Sequence, residues 1–336
     1  MLGAKMRQAG FTLIEMMISL FIGGLILGGV MFTYIGMKTT TKSTMAIGEL
    51  QESGRLAINI MQRDIEQVGF WGTFYGNSFT AINTSSLASP TGDCFEGLNN
   101  GSFPDLTSSS NFKTLYAKTA ASPSELNCVN NPVSGTDILQ IKFVQGHQLD
   151  VTNAVNETAN NDYYFVAEQE LARFVKDQVD ANTLNVNATV WPYSHHVYYI
   201  SEQTYTVNNK KLTVPALMRK RLTGNGMTTE TIMEGVENMR FIFGLDTNGN
   251  GKVDSYRSIN KMTAAEWGNQ QGILTVQLFL LVRTLQPDPS INSKKQIYTL
   301  GEDENARKLE VTDNYRRTVF TTTIRLNNVG ANLWRM

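Results

Sequence analysis

The N-terminal segment constrains this chain most, because residues 11–35 are predominantly apolar and contain a single charged residue, Glu15. As a helix, this segment would be about 37 Å long at ~1.5 Å per residue. A helix of that length can cross a hydrocarbon core of about 30 Å with some tilt. Lys5 and Arg7 precede the segment and supply the positive flank that is typical of a membrane-directed N-terminus.

Two ordinary interpretations explain this segment only in part. A secretory signal peptide ends in small residues that a peptidase recognises, whereas residues 30–34 read VMFTY. A signal anchor suits the length but leaves Glu15 unexplained. An acid at the centre of a membrane helix costs roughly 2.5–3.5 kcal/mol.

A third interpretation accounts for the acid. Residues 10–15 read GFTLIE and closely resemble the signature of type IV prepilins. The resemblance implies that residues 1–10 are a leader, that a prepilin peptidase cuts after Gly10, and that the new N-terminal residue, Phe11, is methylated. It also implies an assembly role for Glu15, whose carboxylate would meet the N-terminal amine of a neighbouring subunit in the filament.

The apolar period continues beyond the membrane segment. After Lys38 the chain becomes polar, yet apolar residues still recur mostly at three- and four-residue steps, as on one face of an amphipathic helix. These residues are Met45, Leu50, Ala57, Ile58, Met61, Ile65 and Val68. The pattern predicts one helix over residues 11–68, with residues 11–35 in the membrane and the outer half embedded in a globular head. The alternative is two helices with a flexible joint at residues 39–41.

Residues 69–336, called the head below, are predicted to be rich in β-strands. The clearest strand-like runs are Ile138–Val144, Val197–Ile200, Tyr205–Val207, Lys211–Val214, Met239–Phe243, Ile273–Thr284 and Arg317–Leu326. Asn208-Asn209 is a hairpin-turn candidate, residues 72–132 read as loops, and residues 163–175 suit either a helix or a strand. The predicted fold class is α+β, with a long N-terminal helix packed on an antiparallel sheet.

The two cysteines, Cys94 and Cys128, lie in this loop-rich region. An even number of cysteines in an exported chain favours a disulfide. A bond that closes about 35 residues would stabilise the fold by roughly 3–4 kcal/mol in the chain-entropy model. A two-thiol metal site is the weaker alternative, because no histidine lies nearby in sequence.

Charge gives no reason to expect a nucleic-acid partner. The chain of 336 residues has 29 basic and 30 acidic residues and a formal net charge of −1. Loss of the leader removes Lys5 and Arg7 and makes the balance more acidic. A nucleic-acid-binding protein would show a basic surplus instead.

Further segments resemble the PilW type of minor pilin. They are residues 50–55 (LQESGR) and 63–65 (RDI) in the predicted helix, 234–239 (EGVENM) and 243–246 (FGLD) in the head, and 315–320 (YRRTVF) with 323–327 (TIRLN) near the C-terminus. The resemblance implies a structural subunit that primes pilus assembly in a tip complex with other minor pilins and the major pilin. It also implies a single-pass inner-membrane protein that becomes part of the extracellular pilus. The alternatives are a pseudopilin of a type II secretion system and an adhesive or DNA-binding tip module.

One segment of the head has the pattern of a calcium loop. Residues 246–254 place side-chain oxygens at the first, third, fifth and ninth positions of an EF-hand-type loop, with glycine at the sixth. The candidate ligands are Asp246, Asn248, Asn250, the backbone carbonyl of Lys252, and Asp254. The twelfth position is Arg257 instead of the usual acid, which predicts weak binding or an acid from elsewhere. An Asn/Gly turn is the alternative.

The sequence offers little support for catalysis. It contains no Gly-x-Ser-x-Gly elbow, no phosphate loop and no His-Glu-x-x-His motif. His195 and His196 would point to opposite faces of a strand, which makes them a poor metal pair. The basic cluster at residues 219–221 is predicted to be a solvated strand edge in preference to a DNA-binding patch. The chain is therefore predicted not to be an enzyme.

Overall fold

The computed structural model describes residues 10–76, 78–207, 210–269, 271–288, 291 and 295–329. The chain divides into two compact units, residues 1–49 and residues 50–336. A long helix begins in the first unit and ends in the second, where it packs on largely antiparallel β-sheets. This architecture confirms the predicted α+β class.

The helix α1 (Leu13–Glu66) occupies the range predicted from the apolar period. Residues 39–41 lie within it, so the alternative of two helices joined there is wrong. In the second unit its buried residues recur at three- and four-residue steps, as a one-faced helix requires. They are Leu50, Gly54, Ala57, Met61 and Ile65. Just after α1, Gly69 adopts a φ of 85°, a left-handed conformation that glycine tolerates and that helps the chain turn away from the helix.

Sixteen strands and one short helix follow in the described part of the chain. They are β1 (Thr84–Ser85), β2 (Leu115–Thr119), β3 (Ser124–Glu125), β4 (Val129–Asn130), β5 (Asp137–Val144), β6 (Tyr163–Glu168), β7 (Leu171–Lys176), β8 (Thr189–Val207), β9 (Lys210–Thr223), β10 (Gly226–Glu234), β11 (Val236–Leu245), β12 (Ser255–Ser258), α2 (Ala264–Gly268), β13 (Ile273–Arg283), β14 (Gln296–Leu300), β15 (Arg307–Val311) and β16 (Arg317–Arg325).

Two sheets form the body of the head. The larger has the order β1-β7-β6-β8-β5-β2, and β9 and β10 continue from β8. The smaller has the order β12-β11-β13-β16. All pairings are antiparallel except that between β1 and β7. The buried face of α1 shares one hydrophobic core with side chains of both sheets.

The strand predictions are confirmed at each of the runs named above, with longer bounds in most cases. Residues 163–175 form β6 and β7, so the helical interpretation is wrong there. The reason is a period of two: Tyr163 and Phe165 face one core cluster, whereas Tyr164 and Val166 face another. The prediction of loops over residues 72–132 is wrong at four strands, because β1 pairs with β7, β2 with β5, and β3 with β4. Asn208-Asn209 lies outside the described residues.

Candidate functional site: the N-terminal segment and the contacts of α1

The segment around Glu15 forms a helix cap. The carbonyl oxygen of Thr12 accepts a hydrogen bond from the Met16 N–H at 3.2 Å, so Thr12 is the N-cap residue of α1. Oε2 of Glu15 accepts from the Thr12 N–H at 2.9 Å and from the Thr12 hydroxyl at 2.7 Å. The Glu15 N–H in turn donates to the Thr12 hydroxyl oxygen at 3.4 Å, which completes a capping box and holds the carboxylate where the helix dipole favours negative charge. The acid in the apolar run therefore has local partners within its own chain.

Gly10 and Phe11 precede α1 and are exposed, and the side chain of Phe11 is 85% exposed. The rest of the leader, residues 1–9, lies outside the described residues. Cleavage after Gly10 and the assembly role of Glu15 both stay predictions.

Processing can be tested directly on the protein isolated from cells. We expect N-terminal sequencing and mass spectrometry to find Phe11 as the first residue, with one added methyl group. Protein from a strain that lacks the prepilin peptidase should keep residues 1–10 and serves as the control. A chain from normal cells that starts at Met1, or one cut after residue 30, would contradict this prediction.

The part of α1 before Lys38 presents an apolar surface. By length and composition α1 can cross a membrane, and side chains such as Leu20 and Phe32 are at least 80% exposed. Apart from the neighbouring backbone of α1 itself, no described atom lies within 4 Å of a Cβ built on Gly24 or Gly28, which are spaced as Gly-x-x-x-Gly. This face can therefore be approached closely by another helix or by lipid.

Gly54 sets the distance between α1 and β16. A Cβ atom at this position would lie 2.3 Å from Cε2 of Phe320, well inside van der Waals contact. The helix can thus rest on the ring only because residue 54 has no side chain. This contact joins two of the segments that resemble PilW-type pilins, residues 50–55 and 315–320.

Asp64, near the end of α1, is tied to the large sheet. Its Oδ2 lies 2.6 Å from Nδ1 of His196, accepts from the Tyr198 hydroxyl at 2.5 Å, and pairs with Nη1 of Arg219 at 3.3 Å. Burial raises the pKa of Asp64, but the hydrogen bond and charge of His196, with Tyr198 and Arg219, outweigh this effect and hold the pKa below its ordinary value. These contacts lock the helix to β8 and β9.

A second cluster of charged side chains lies on the smaller sheet. Arg317 of β16 is 1% exposed and pairs with Glu237 through Nε at 2.5 Å and through Nη2 at 3.0 Å. The same guanidinium donates to both carboxylate oxygens of Asp313 at 2.6 Å. Such bidentate pairs fix both distance and orientation. They join the segment at 234–239 to that at 315–320.

The predicted disulfide is confirmed. Cys94 and Cys128 are bonded across 34 residues, with 5.0 Å between their Cα atoms, and both are buried. The alternative of a two-thiol metal site is therefore wrong. The side-chain amide of Gln140 donates to the Cys94 carbonyl at 2.7 Å, which connects the bridge to β5.

The carboxylates of the loop at residues 246–254 accept hydrogen bonds from other groups of the same loop. The carboxylate of Asp246 accepts from the backbone N–H groups of residues 248, 249, 250 and 251, at 2.6–3.2 Å. Burial raises the pKa of Asp246, but these N–H groups outweigh it and lower the pKa below its ordinary value. Asp254 accepts from the backbone and hydroxyl of Thr247 and from the amide of Asn248.

The twelfth position of the loop, where a complete calcium loop carries an acid, is Arg257. Arg257 pairs with Glu266 at 3.0 Å, and the Glu266 carboxylate also accepts from Thr263. Among the described residues, no group of three or more His, Cys, Asp or Glu side chains could hold a metal ion. The loop offers two carboxylates, two amide oxygens and a backbone carbonyl, which is the hard oxygen set that calcium takes.

The prediction that His195 and His196 point to opposite faces of a strand is confirmed. The prediction that residues 219–221 form a solvated strand edge is wrong in part. His195 contacts the Ser102 hydroxyl and the Gln140 amide, on the opposite side of β8 from His196. Burial lowers the pKa of His195 well below its ordinary value, so the ring is neutral. Arg221 is half exposed, but Arg219 is not on a solvated edge, because it bridges Asp64 and Glu230. Asp64 and its partners lie more than 130 residues apart, and no local pattern signalled their contact.

A long apolar helix with a capped acid at its start, whose last turns pack into an antiparallel head, defines the class of pilin-like proteins. Residues 5–31 match the family model of the prokaryotic N-terminal methylation motif, and residues 197–328 match that of type IV pilus-assembly protein W. These matches confirm the predicted resemblance to PilW-type pilins and support a pilin-like component of a type IV pilus. The matched families are structural pilus components. No curated protein and no solved structure gives a match.

Proposed function

We propose that this protein is a minor pilin that primes pilus assembly in a complex with other minor pilins, from which the filament of major pilin then extends. The observation that carries the proposal is the match of residues 197–328 to type IV pilus-assembly protein W, on a chain that also has the methylation motif. After the prepilin peptidase removes its leader, the subunit stays anchored in the inner membrane by α1 until assembly. It then becomes part of the extracellular pilus, at the tip.

A deletion strain tests this function against the alternative of a type II secretion pseudopilin. We expect the strain to lose most of its surface pili while it still secretes folded enzymes, and expression of the gene from a plasmid should restore the pili. Normal piliation with lost secretion would assign the protein to the secretion system. Tip position is tested separately by labelling an epitope-tagged protein on intact pili.

Glu15 should be required for incorporation into the pilus. In lipid its carboxylate has only the Thr12 cap, whereas in the filament it would gain the positive amine of a neighbouring Phe11. That pairing would offset the cost of burying the charge. Glu15→Ala should therefore leave membrane insertion intact and reduce the protein in sheared pili by at least about tenfold, since a lost buried ion pair is worth several kcal/mol.

Glu15→Gln separates the charge from the cap, because an amide oxygen can still accept from Thr12. We expect the Gln variant to fail in incorporation as the Ala variant does. Glu49→Gln, an exposed position on the same helix, is the matched control and should be incorporated normally. Normal incorporation of the Gln variant would show that the cap, and not the charge, is what α1 needs at this position.

We also propose that the loop at residues 246–254 binds calcium weakly, through the oxygen set described above. With Arg257 at the twelfth position, we expect a Kd of roughly 10⁻⁴–10⁻³ M, the range of extracellular modules. Calcium at roughly 10–100 times its Kd would stabilise the native state by about 1.4–2.7 kcal/mol. The melting temperature of the full chain in detergent should therefore rise in calcium relative to chelator.

The calcium-dependent shift should vanish in Asp246→Asn and persist in Glu170→Gln, which changes an exposed acid in the turn between β6 and β7. The difference between calcium and chelator is the measured quantity, so any loss of basal stability in the Asn variant does not affect the result. Identical melting curves of the unaltered chain in both conditions would identify the loop as a turn alone.

A further inference from the structure

A cleft of about 600 Å³ opens beside the Asp64 cluster. Its walls come from the end of α1, from β8 and β9, and from the segment between β5 and β6. This volume is in the range of about 300–1,000 Å³ that is usual for small-molecule sites. Much of the wall comes from residues 143–194, which neither family match covers. Pilus assembly as a family property therefore does not account for the cleft.

The charged groups of the cleft balance each other. Three guanidinium groups, of Arg63, Arg219 and Arg221, face three carboxylates, of Asp64, Glu157 and Asp162. Because neither sign is in excess, the cleft has no net charge that would select an anion or a cation. It is rich instead in groups that donate or accept hydrogen bonds at fixed positions.

A basic and an acidic group of the cleft have no ion-pair partner among the described residues. Arg63 and Asp162 are exposed, and no ion pair of either side chain is found among the described residues. Oε1 of Gln67, which also lines the cleft, is buried and has no hydrogen-bond partner in the described part of the chain. A buried acceptor without a donor costs about 1–3 kcal/mol. The cleft therefore presents a donor, an acceptor carboxylate and a buried acceptor together.

Apolar surfaces lie between these polar groups. Leu149, Pro192 and Tyr163 line the same cleft. A ligand that suits this lining needs hydroxyls that both donate and accept, no net charge, and apolar faces between the hydroxyls. We propose that the cleft binds a neutral saccharide, with its hydroxyls on Arg63, Gln67 and Asp162 and its C–H faces on the apolar wall. This binding activity goes beyond the proposed role in assembly and does not depend on it.

The test uses the full chain in a zwitterionic detergent that carries no sugar. An array of neutral and sialylated glycans finds the ligand, and calorimetric titration with lactose, cellobiose and N,N′-diacetylchitobiose measures the affinity in solution. We expect binding to a subset of the neutral glycans and to at least one of these disaccharides. Arg63→Ala and Asp162→Asn should each weaken that binding about tenfold, the loss expected for one hydrogen bond to a charged group.

Two further variants separate recognition from folding. Gln67→Leu removes the unpaired acceptor, so the melting temperature should be unchanged or higher while the binding weakens. Arg55→Ala and Glu170→Gln, at exposed positions outside the cleft, should bind as the unaltered chain does. The proposal is overturned if no glycan binds, if only the sialylated glycans bind, or if binding survives unchanged in the Arg63, Asp162 and Gln67 variants.

Discussion

Replacing Asp64 with alanine should lower the free energy of unfolding of the head by about 3–5 kcal/mol. The carboxylate is largely buried and receives His196, Tyr198 and Arg219 at one oxygen. Its removal leaves the buried Tyr198 hydroxyl and the His196 ring without this acceptor, and it takes from the Arg219 guanidinium one of its two carboxylate partners, so their desolvation is no longer offset in full. The end of α1 would also lose its polar attachment to β8 and β9. Chemical denaturation of the full chain in detergent, followed by near-ultraviolet circular dichroism, measures the effect.

The Asp64 carboxylate should also make the free energy of unfolding depend on pH. The pKa of Asp64 in the folded protein lies below its ordinary value, so the unfolded chain binds the proton more readily. The stability that Asp64 contributes is therefore present above the unfolded-state pKa and is lost as the pH falls through the folded-state pKa. In Asp64→Asn this part of the acid dependence should be absent.

Glu52→Ala is the matched control, since Glu52 is an exposed acid on the same helix. It should change the free energy of unfolding by less than about 0.5 kcal/mol, as is usual for surface positions. An Asp64→Ala protein as stable as this control would show that the core face of α1 alone holds the helix on the sheets.

Loss of the disulfide should have an effect of similar size. Replacing both Cys94 and Cys128 with serine should lower the free energy of unfolding by roughly 3–4 kcal/mol, because the unfolded chain regains the entropy of the closed loop. The bridge joins the loop at Cys94 to the turn at Cys128, and Gln140 of β5 holds the Cys94 carbonyl, so the loss should weaken this side of the large sheet. Denaturation midpoints with and without reductant measure it.

Reductant should destabilise the unaltered protein and leave the double serine variant unchanged. Thiol labelling of the native, unreduced protein should fail, and labelling after unfolding in reductant should modify both cysteines. A midpoint that does not move on reduction would mean that the surrounding contacts hold this region without the bridge.

Three segments that resemble PilW-type pilins meet in the structure. Gly54 lies against Phe320, and Arg317 is held by Glu237. These contacts fasten the end of α1 and the strands of the smaller sheet to each other. The resemblance in those segments therefore reports how the helix is joined to the head.

Local patterns in the sequence determined much of this protein. The apolar run and its three- and four-residue period specified α1, because helix geometry repeats within a few residues of the chain. Strand-like runs specified six of the sixteen described strands, which are β5, β8, β9, β11, β13 and β16, and the signature around Glu15 specified the class of protein. The disulfide was also predicted from the sequence, since two cysteines in a loop-rich region can form only one bond within the chain.

Only the tertiary structure decided the rest. It placed Asp64 beside His196 and Arg219, and it brought Gly54 onto Phe320, across distances in sequence that no periodicity reaches. It made two strands of residues 163–175, because two core clusters lie on opposite sides of β6. The cleft next to α1 has the same origin: its walls form where five separate segments of chain meet, and its balanced charges come from three of them. Side-chain contacts between distant segments depend on how the sheets pack, and packing is a property of the whole fold.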